Sequence, residues 1–353
     1  MEKSINHNFW KGKNVLITGD SGFKGAWLSL ILIDRGAKVH GLSLENDNPL
    51  SIWQSLQEYT NFYKNICDIR NYEKLSRTVS KIQPDFVFHL AAQPLVRDSY
   101  DDPLSTYQTN IIGTANLLES LRNQKNLLSV VCITSDKCYE NTEKDYEYKE
   151  TDKMGGYDPY SSSKGCAELV ISSYQRSFFN KSNIAISSAR AGNVIGGGDW
   201  AKDRIIPDII RSLETKTKLM IRNPEAVRPF QHVIEPLNGY ILLAEKSAVD
   251  KNRYQGAYNF GPSKANAVNV QKILELSKDI YPDLTHESDK SNNPHEAKLL
   301  RLDTTKTTSK LNLIPKWDIA NTVHKTLNWY KKVQNGVSVI EATKSDIDDY
   351  YFS

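Results

Sequence analysis

The chain has 353 residues, 39% of them hydrophobic, and 45 basic side chains against 42 acidic ones for a net charge of +3. That is enough apolar material for one large domain, or for one core with a smaller lobe. The charges are spread along the chain, with no basic stripe for a nucleic acid and no basic face for a membrane, so a small-molecule ligand is expected.

Met1 to Lys13 is polar and lacks the apolar centre of a signal peptide, and no apolar run reaches the ~18 residues that cross a bilayer. A cytoplasmic protein is expected. Cys67, Cys132, Cys138 and Cys166 include no Cys-x-x-Cys pair and have no histidine at metal spacing, so reduced, mostly buried thiols and no metal site are expected.

In chain order, Asn14–Thr18 reads as a strand that runs into Gly19-Asp20-Ser21-Gly22-Phe23-Lys24-Gly25, a glycine loop opening a helix (Trp27–Asp34) that closes at Gly36. Glycines permit the tight turn, and the helix N-terminus offers free N–H groups and partial positive charge to a pyrophosphate. The next strand, Lys38–Ser43, ends in serine where NAD enzymes normally place the acidic residue that binds the adenosine ribose. No arginine replaces it, so NAD is favoured over NADP. Asp68 follows a further strand and is placed to hydrogen-bond an adenine, with an acidic surface loop as the alternative.

Phe86–Leu90 and Leu128–Thr134 read as strands, and Thr106–Leu121 between them as a helix. Leu90-Ala91-Ala92-Gln93 ends one of those strands with small residues, which suit either a cofactor crossing the sheet edge or plain close packing. Strand and helix in alternation predict an α/β fold, a Rossmann-type doubly wound parallel sheet with ligands at the carboxyl ends of the strands. Asp158 as N-cap and Pro159 as first residue predict a helix carrying Tyr160 and Lys164 on one face. An ammonium beside a phenol favours the phenolate, so Lys164 is expected to pull the Tyr160 pKa from about 10 toward neutrality and to make a base for an alcohol proton.

Ile184–Arg190 is a further strand, after which the pattern loosens into a smaller mixed α/β lobe. The expected division is 1–190 for the dinucleotide-binding domain, with part of 227–262 returning to it, and 191–353 mainly for the substrate lobe. Residues 338–353 are polar and acidic and read as a loosely held tail.

The glycine loop, Leu90-Ala91-Ala92-Gln93, Asn110-Ile111-Ile112-Gly113-Thr114, the Ser135 region and Tyr160/Lys164 together resemble the extended short-chain dehydrogenase/reductase family of nucleotide-sugar enzymes over almost the whole chain. Thr134-Ser135-Asp136-Lys137 is the most discriminating stretch: the 4,6-dehydratases carry an acidic pair there for dTDP-glucose and GDP-mannose, whereas Asp followed by Lys is similar to the CDP-glucose branch. Gly22-Phe23-Lys24-Gly25-Ala26-Trp27, Gln93-Pro94-Leu95-Val96-Arg97, the run from Ala189 to Trp200 and His295-Glu296-Ala297 resemble the same branch.

The resemblance implies an internal redox cycle serving bacterial deoxysugar and cell-surface polysaccharide synthesis. Tyr160, Lys164 and Ser135 would oxidise sugar carbon 4, and Asp136 as acid and Lys137 as base would eliminate water across carbons 5 and 6. NAD would contact Gly19, Ser21, Gly22, Phe23, Lys24, Gly25, Asp68, Ile69, Ala91, Ala92, Gln93, Thr109, Tyr160 and Lys164. The nucleotide sugar would meet Ser135, Asn193, Arg204, Arg228 and His295, with arginine forks on its phosphates. The branch usually has histidine where this chain has Asp20. A carboxylate there is expected to weaken NAD binding unless it turns away or pairs with Lys24. As in related enzymes, helices 106–121 and 159–179 would pair with their copies in a homodimer or dimer of dimers. A 4-epimerase, a dehydratase for another nucleotide sugar and a non-catalytic NAD-binding regulator are the alternatives.

Overall fold

The computed structural model describes residues 8–262, 266–289 and 299–352. Strands β1 (Asn14–Thr18), β2 (Lys38–Ser43), β3 (Phe62–Ile66), β4 (Phe86–His89) and β5 (Ser129–Ile133) form most of one sheet. After the short β6 (Glu147–Tyr148), strand β7 (Ala185–Ala191) and a last strand, Gly256–Phe260, complete seven strands, all parallel. From one edge to the other the order is Gly256–Phe260, β7, β5, β4, β1, β2, β3. The chain winds outward in opposite directions from β1 and β4, which leaves a crevice at their carboxyl ends.

Alternation along the strands assigns the two faces. Val15 and Ile17 of β1 join one core cluster with the first helix, whereas Leu16 faces a second cluster with Leu117, Leu118 and Ile171. That first helix, α1 (Phe23–Asp34), is apolar nearly all round because the sheet covers one side and helix Ile234–Val249 the other. The first cluster also takes in Leu219, Ile273 and Trp329, so the C-terminal elements share one continuous core with the sheet.

Two sequence expectations are corrected. The 106–121 helix is interrupted: Pro103–Tyr107 leads into a π-helical turn, Gln108–Ile112, and then Gly113–Leu121. Such wide turns accompany local functional demands, and here the turn holds Asn110, whose amide bonds Gln93 and Ser163. The loose tail expected at 338–353 is not seen over the described residues, because Val339–Phe352 is a helix with Ala342, Ile347 and Tyr350 buried. The Tyr350 hydroxyl donates to Glu235 at 2.7 Å. Its acidic residues mask an apolar stripe at helical spacing.

Candidate active site

The carboxyl ends of β1, β2, β4 and β5 open into one cleft of about 1570 Å³ between the sheet and the C-terminal lobe. All the predicted catalytic, cofactor and substrate residues line it except His295, which lies outside the described residues.

At the floor, Gly19 has φ +75°, and a Cβ there would lie 2.6 Å from the Ala91 backbone nitrogen. The loop and the end of β4 therefore touch backbone to backbone, which explains the small residues at Ala91 and Ala92. Gly25 is held as tightly, since its Cβ would meet the Gly19 carbonyl at 2.1 Å. No side chain caps α1, so its first N–H groups face the cleft free for an anion. Loop, helix terminus and cleft volume fit a dinucleotide pyrophosphate.

Asp20 turns away from the loop mouth and does not pair with Lys24. Its side chain is 1% exposed, and Trp53 Nε1 donates to its Oδ2 at 2.5 Å. Burial pushes its pKa up to about 6. Asp68, expected to meet adenine, is gripped by Arg70 through Nε at 2.9 Å and through Nη2 at 2.6 Å. That ion pair holds its carboxyl below the usual range.

The predicted N-cap forms: the Ser161 amide donates to Asp158 Oδ1 at 2.8 Å, and helix Pro159–Ser177 starts there. Tyr160 is anchored further by its own amide, which donates to Ser99 Oγ at 3.1 Å. Tyr160 and Lys164 share a face, with Lys164 Nζ 5.8 Å from the phenol ring centre and Lys137 Nζ 6.0 Å from it.

The phenol pKa of Tyr160 lies above its ordinary value and not near neutrality as expected. Burial pushes Tyr160 up to about 12 and Lys164 down to about 8, because each charged form loses solvation in the closed cleft. A hydrogen bond with Ser135 is the largest influence in the opposite direction on Tyr160.

Asp136 and Lys137 begin a single helical turn, Asp136–Cys138, directly after β5. Ser135 Oγ donates to Asp136 Oδ1 at 3.0 Å and accepts from the Lys137 amide at 3.2 Å. Burial raises the Asp136 pKa, partly offset by Lys137 and by Arg228 across the cleft. That favours the protonated form a general acid requires. Gly192 closes over this carboxyl, since a Cβ there would lie 2.8 Å from Asp136 Oδ2.

On the lobe side, Arg204 pairs with Asp199 at 2.8 Å, and Trp200 packs edge-on against Tyr330 at 5.2 Å while its Nε1 donates to Leu50 O. Sequence reading missed Asp203 and Arg222. Asp203 has φ +61° and ties Arg97 at 3.2 Å to Arg222 at 2.9 Å, bridging helix Val96–Asp101 to the lobe. Nothing in the local pattern marks either residue. Lys24 is also more central than a loop residue suggests. It sits among Arg204, Lys164 and Asp136 near the Tyr240 hydroxyl, and burial with its cationic neighbours lowers its pKa to about 7.

A family model described as GDP-mannose 4,6 dehydratase matches residues 16–326. The chain belongs to that family. Among curated proteins, CDP-glucose 4,6-dehydratase of Salmonella typhimurium is 45% identical over 98% of this chain and 98% of its own length. CDP-paratose 2-epimerase of Salmonella typhi is 26% identical over 90% of this chain and 99% of its own. Among solved structures, dTDP-glucose 4,6-dehydratase of Bacillus anthracis, in complex with NAD, superposes with a TM-score of 0.77 at 20% identity, covering 93% of this chain and all of its own. At that identity the likeness shows a shared fold. The Asp-Lys pair after Ser135 is the local feature that needs explaining within it.

Proposed function

We propose that this chain is an NAD-dependent CDP-glucose 4,6-dehydratase, a hydro-lyase forming CDP-4-keto-6-deoxyglucose. One observation carries the reading: Asp136 and Lys137 sit beside Ser135, Tyr160 and Lys164 in a single cleft, so an elimination pair adjoins an oxidation set. The 45% identity to the Salmonella enzyme supports CDP-glucose as substrate.

NAD, held by the glycine loop and the 91–93 strand end, would supply a hydride acceptor at sugar carbon 4 and a hydride donor at carbon 6, so no net reductant would be consumed. Tyr160 accepts the 4-hydroxyl proton, with Ser135 hydrogen-bonding the same oxygen. The Ser135 hydrogen bond and the positive charge of Arg204 favour the phenolate against burial. With carbon 4 a ketone, the proton on carbon 5 is acidic. Lys137 removes it, and Asp136 protonates the departing 6-hydroxyl, which leaves as water. Arg204 and Arg228 with Asn193 are assigned to the substrate diphosphate.

The exposed Leu104 and Ile112 of the 103–121 segment and Leu169 and Phe178 of helix Pro159–Ser177 and its cap support a homodimer through these segments. Free cysteines suit a reducing cytoplasm, and the product would feed deoxysugar synthesis for surface polysaccharide. Incubation with CDP-, dTDP-, UDP- and GDP-glucose tests the reading. A 4-keto product from CDP-glucose in preference to the others is expected. A carbon 4 epimer, or turnover of another nucleotide only, refutes it.

A further inference from the structure

The position that normally carries the ribose-binding acid at the end of β2 is Ser43, yet a carboxylate lies directly behind it. Asp20 reaches from the glycine loop across Gly41, where a Cβ would lie 2.0 Å from Asp20 Oδ2. Trp53 Nε1 fixes that oxygen at 2.5 Å. The other oxygen, Oδ1, and Ser43 Oγ are both buried without a hydrogen-bond partner in ordinary geometry. They are neighbours nonetheless, since the serine hydroxyl lowers the carboxyl's pKa against the larger effect of burial. Ser43 faces the cleft, Asp20 does not, and residues 43–53 include no lysine or arginine.

A buried hydroxyl beside a buried carboxylate oxygen at the ribose position of a dinucleotide cleft leaves the serine oxygen as an acceptor for a ribose hydroxyl. We propose that Asp20, acting through Ser43, replaces the missing acid of β2: it orients the serine hydroxyl onto the adenosine 2′-hydroxyl and repels a 2′-phosphate. The carboxylate has moved from the strand end to the loop, and Gly41 leaves the space for it. Asp20 is a positioning residue, and discrimination between NAD and NADP is its readout. This inference rests on the dinucleotide-binding reading above.

The test is equilibrium binding of NAD, NADP and 2′-deoxy-NAD to the full-length protein by calorimetry. Wild type should bind NAD at least about tenfold more tightly than either of the other two. Asp20→Asn keeps the shape and an acceptor for Trp53 but removes the charge, and should cut the preference over NADP by about tenfold. Adding Ser43→Asp to that variant should restore the preference, which a purely structural role for Asp20 does not predict. A folded D20N with an unchanged NAD-to-NADP ratio overturns the inference. So does wild type that binds 2′-deoxy-NAD as tightly as NAD, a measurement that needs no variant. Failure of wild type to bind any of the three refutes the dinucleotide site itself.

Discussion

Glu168 and Arg190 form a buried ion pair at 2.7 Å, each side chain 5% exposed, with Glu168 one turn beyond Lys164 on the helix that carries Tyr160. Glu168 also accepts from Thr134 at 2.5 Å and Ser188 at 2.8 Å, and Arg190 donates to the Tyr139 hydroxyl at 2.7 Å. The pair thus ties the catalytic helix to β7 and to both ends of the 134–139 segment that holds Asp136 and Lys137. Glu168→Ala would leave a buried guanidinium without its counter-charge, so a loss of about 3–5 kcal/mol in denaturant unfolding is expected. An unchanged midpoint would show that the pair is dispensable.

Asp136→Asn should separate the two halves of the reaction. In the proposed mechanism oxidation at carbon 4 uses Tyr160 and Ser135, so the variant should still reduce bound NAD when CDP-glucose is added, seen as NADH absorbance. Release of the 4-keto-6-deoxy product should fall by roughly 10²–10⁴-fold, the usual share of a general acid. Absence of the NADH signal would mean that Asp136 serves oxidation instead.

Gly192→Ala probes the same carboxyl without touching it chemically. The added methyl would stand 2.8 Å from Asp136 Oδ2 and 3.2 Å from Pro229 Cγ. Displacement of a catalytic group by about 1 Å costs on the order of 10²-fold, so kcat should drop by that order while NAD affinity holds. Parallel turnover and NAD titration decide it; normal turnover would show that Asp136 tolerates the shift.

Asp346 on the final helix gives a pH dependence. It is 2% exposed, its Oδ2 has no partner, and burial pushes its pKa from 3.8 up to about 7 against Lys325 and Lys332, with Asp349 adding to the rise. Between those values the folded state holds a proton that the unfolded state has released, so this group's contribution to stability falls as pH rises from about 4 to about 7. Above that range the ionised carboxylate costs up to about 4 kcal/mol. Asp346→Asn should therefore raise Tm near about pH 8 and change it little near about pH 4. Equal shifts at both pH values would contradict the assignment.

The sequence alone determined the parallel alternation, the glycine loop, the Asp158 cap and the placing of Tyr160 with Lys164, because each depends on neighbours within one strand or one helical turn. The adjacency of Asp136 and Lys137 was legible for the same reason. Only the tertiary structure decided that burial outweighs the Ser135 hydrogen bond at the phenol, that Asp20 lies behind Ser43, that Arg222 reaches Asp203, and that the acidic C-terminus docks as a helix on Glu235. Those outcomes turn on desolvation and on contacts between segments tens to hundreds of residues apart, and no local pattern records what a side chain will be packed against.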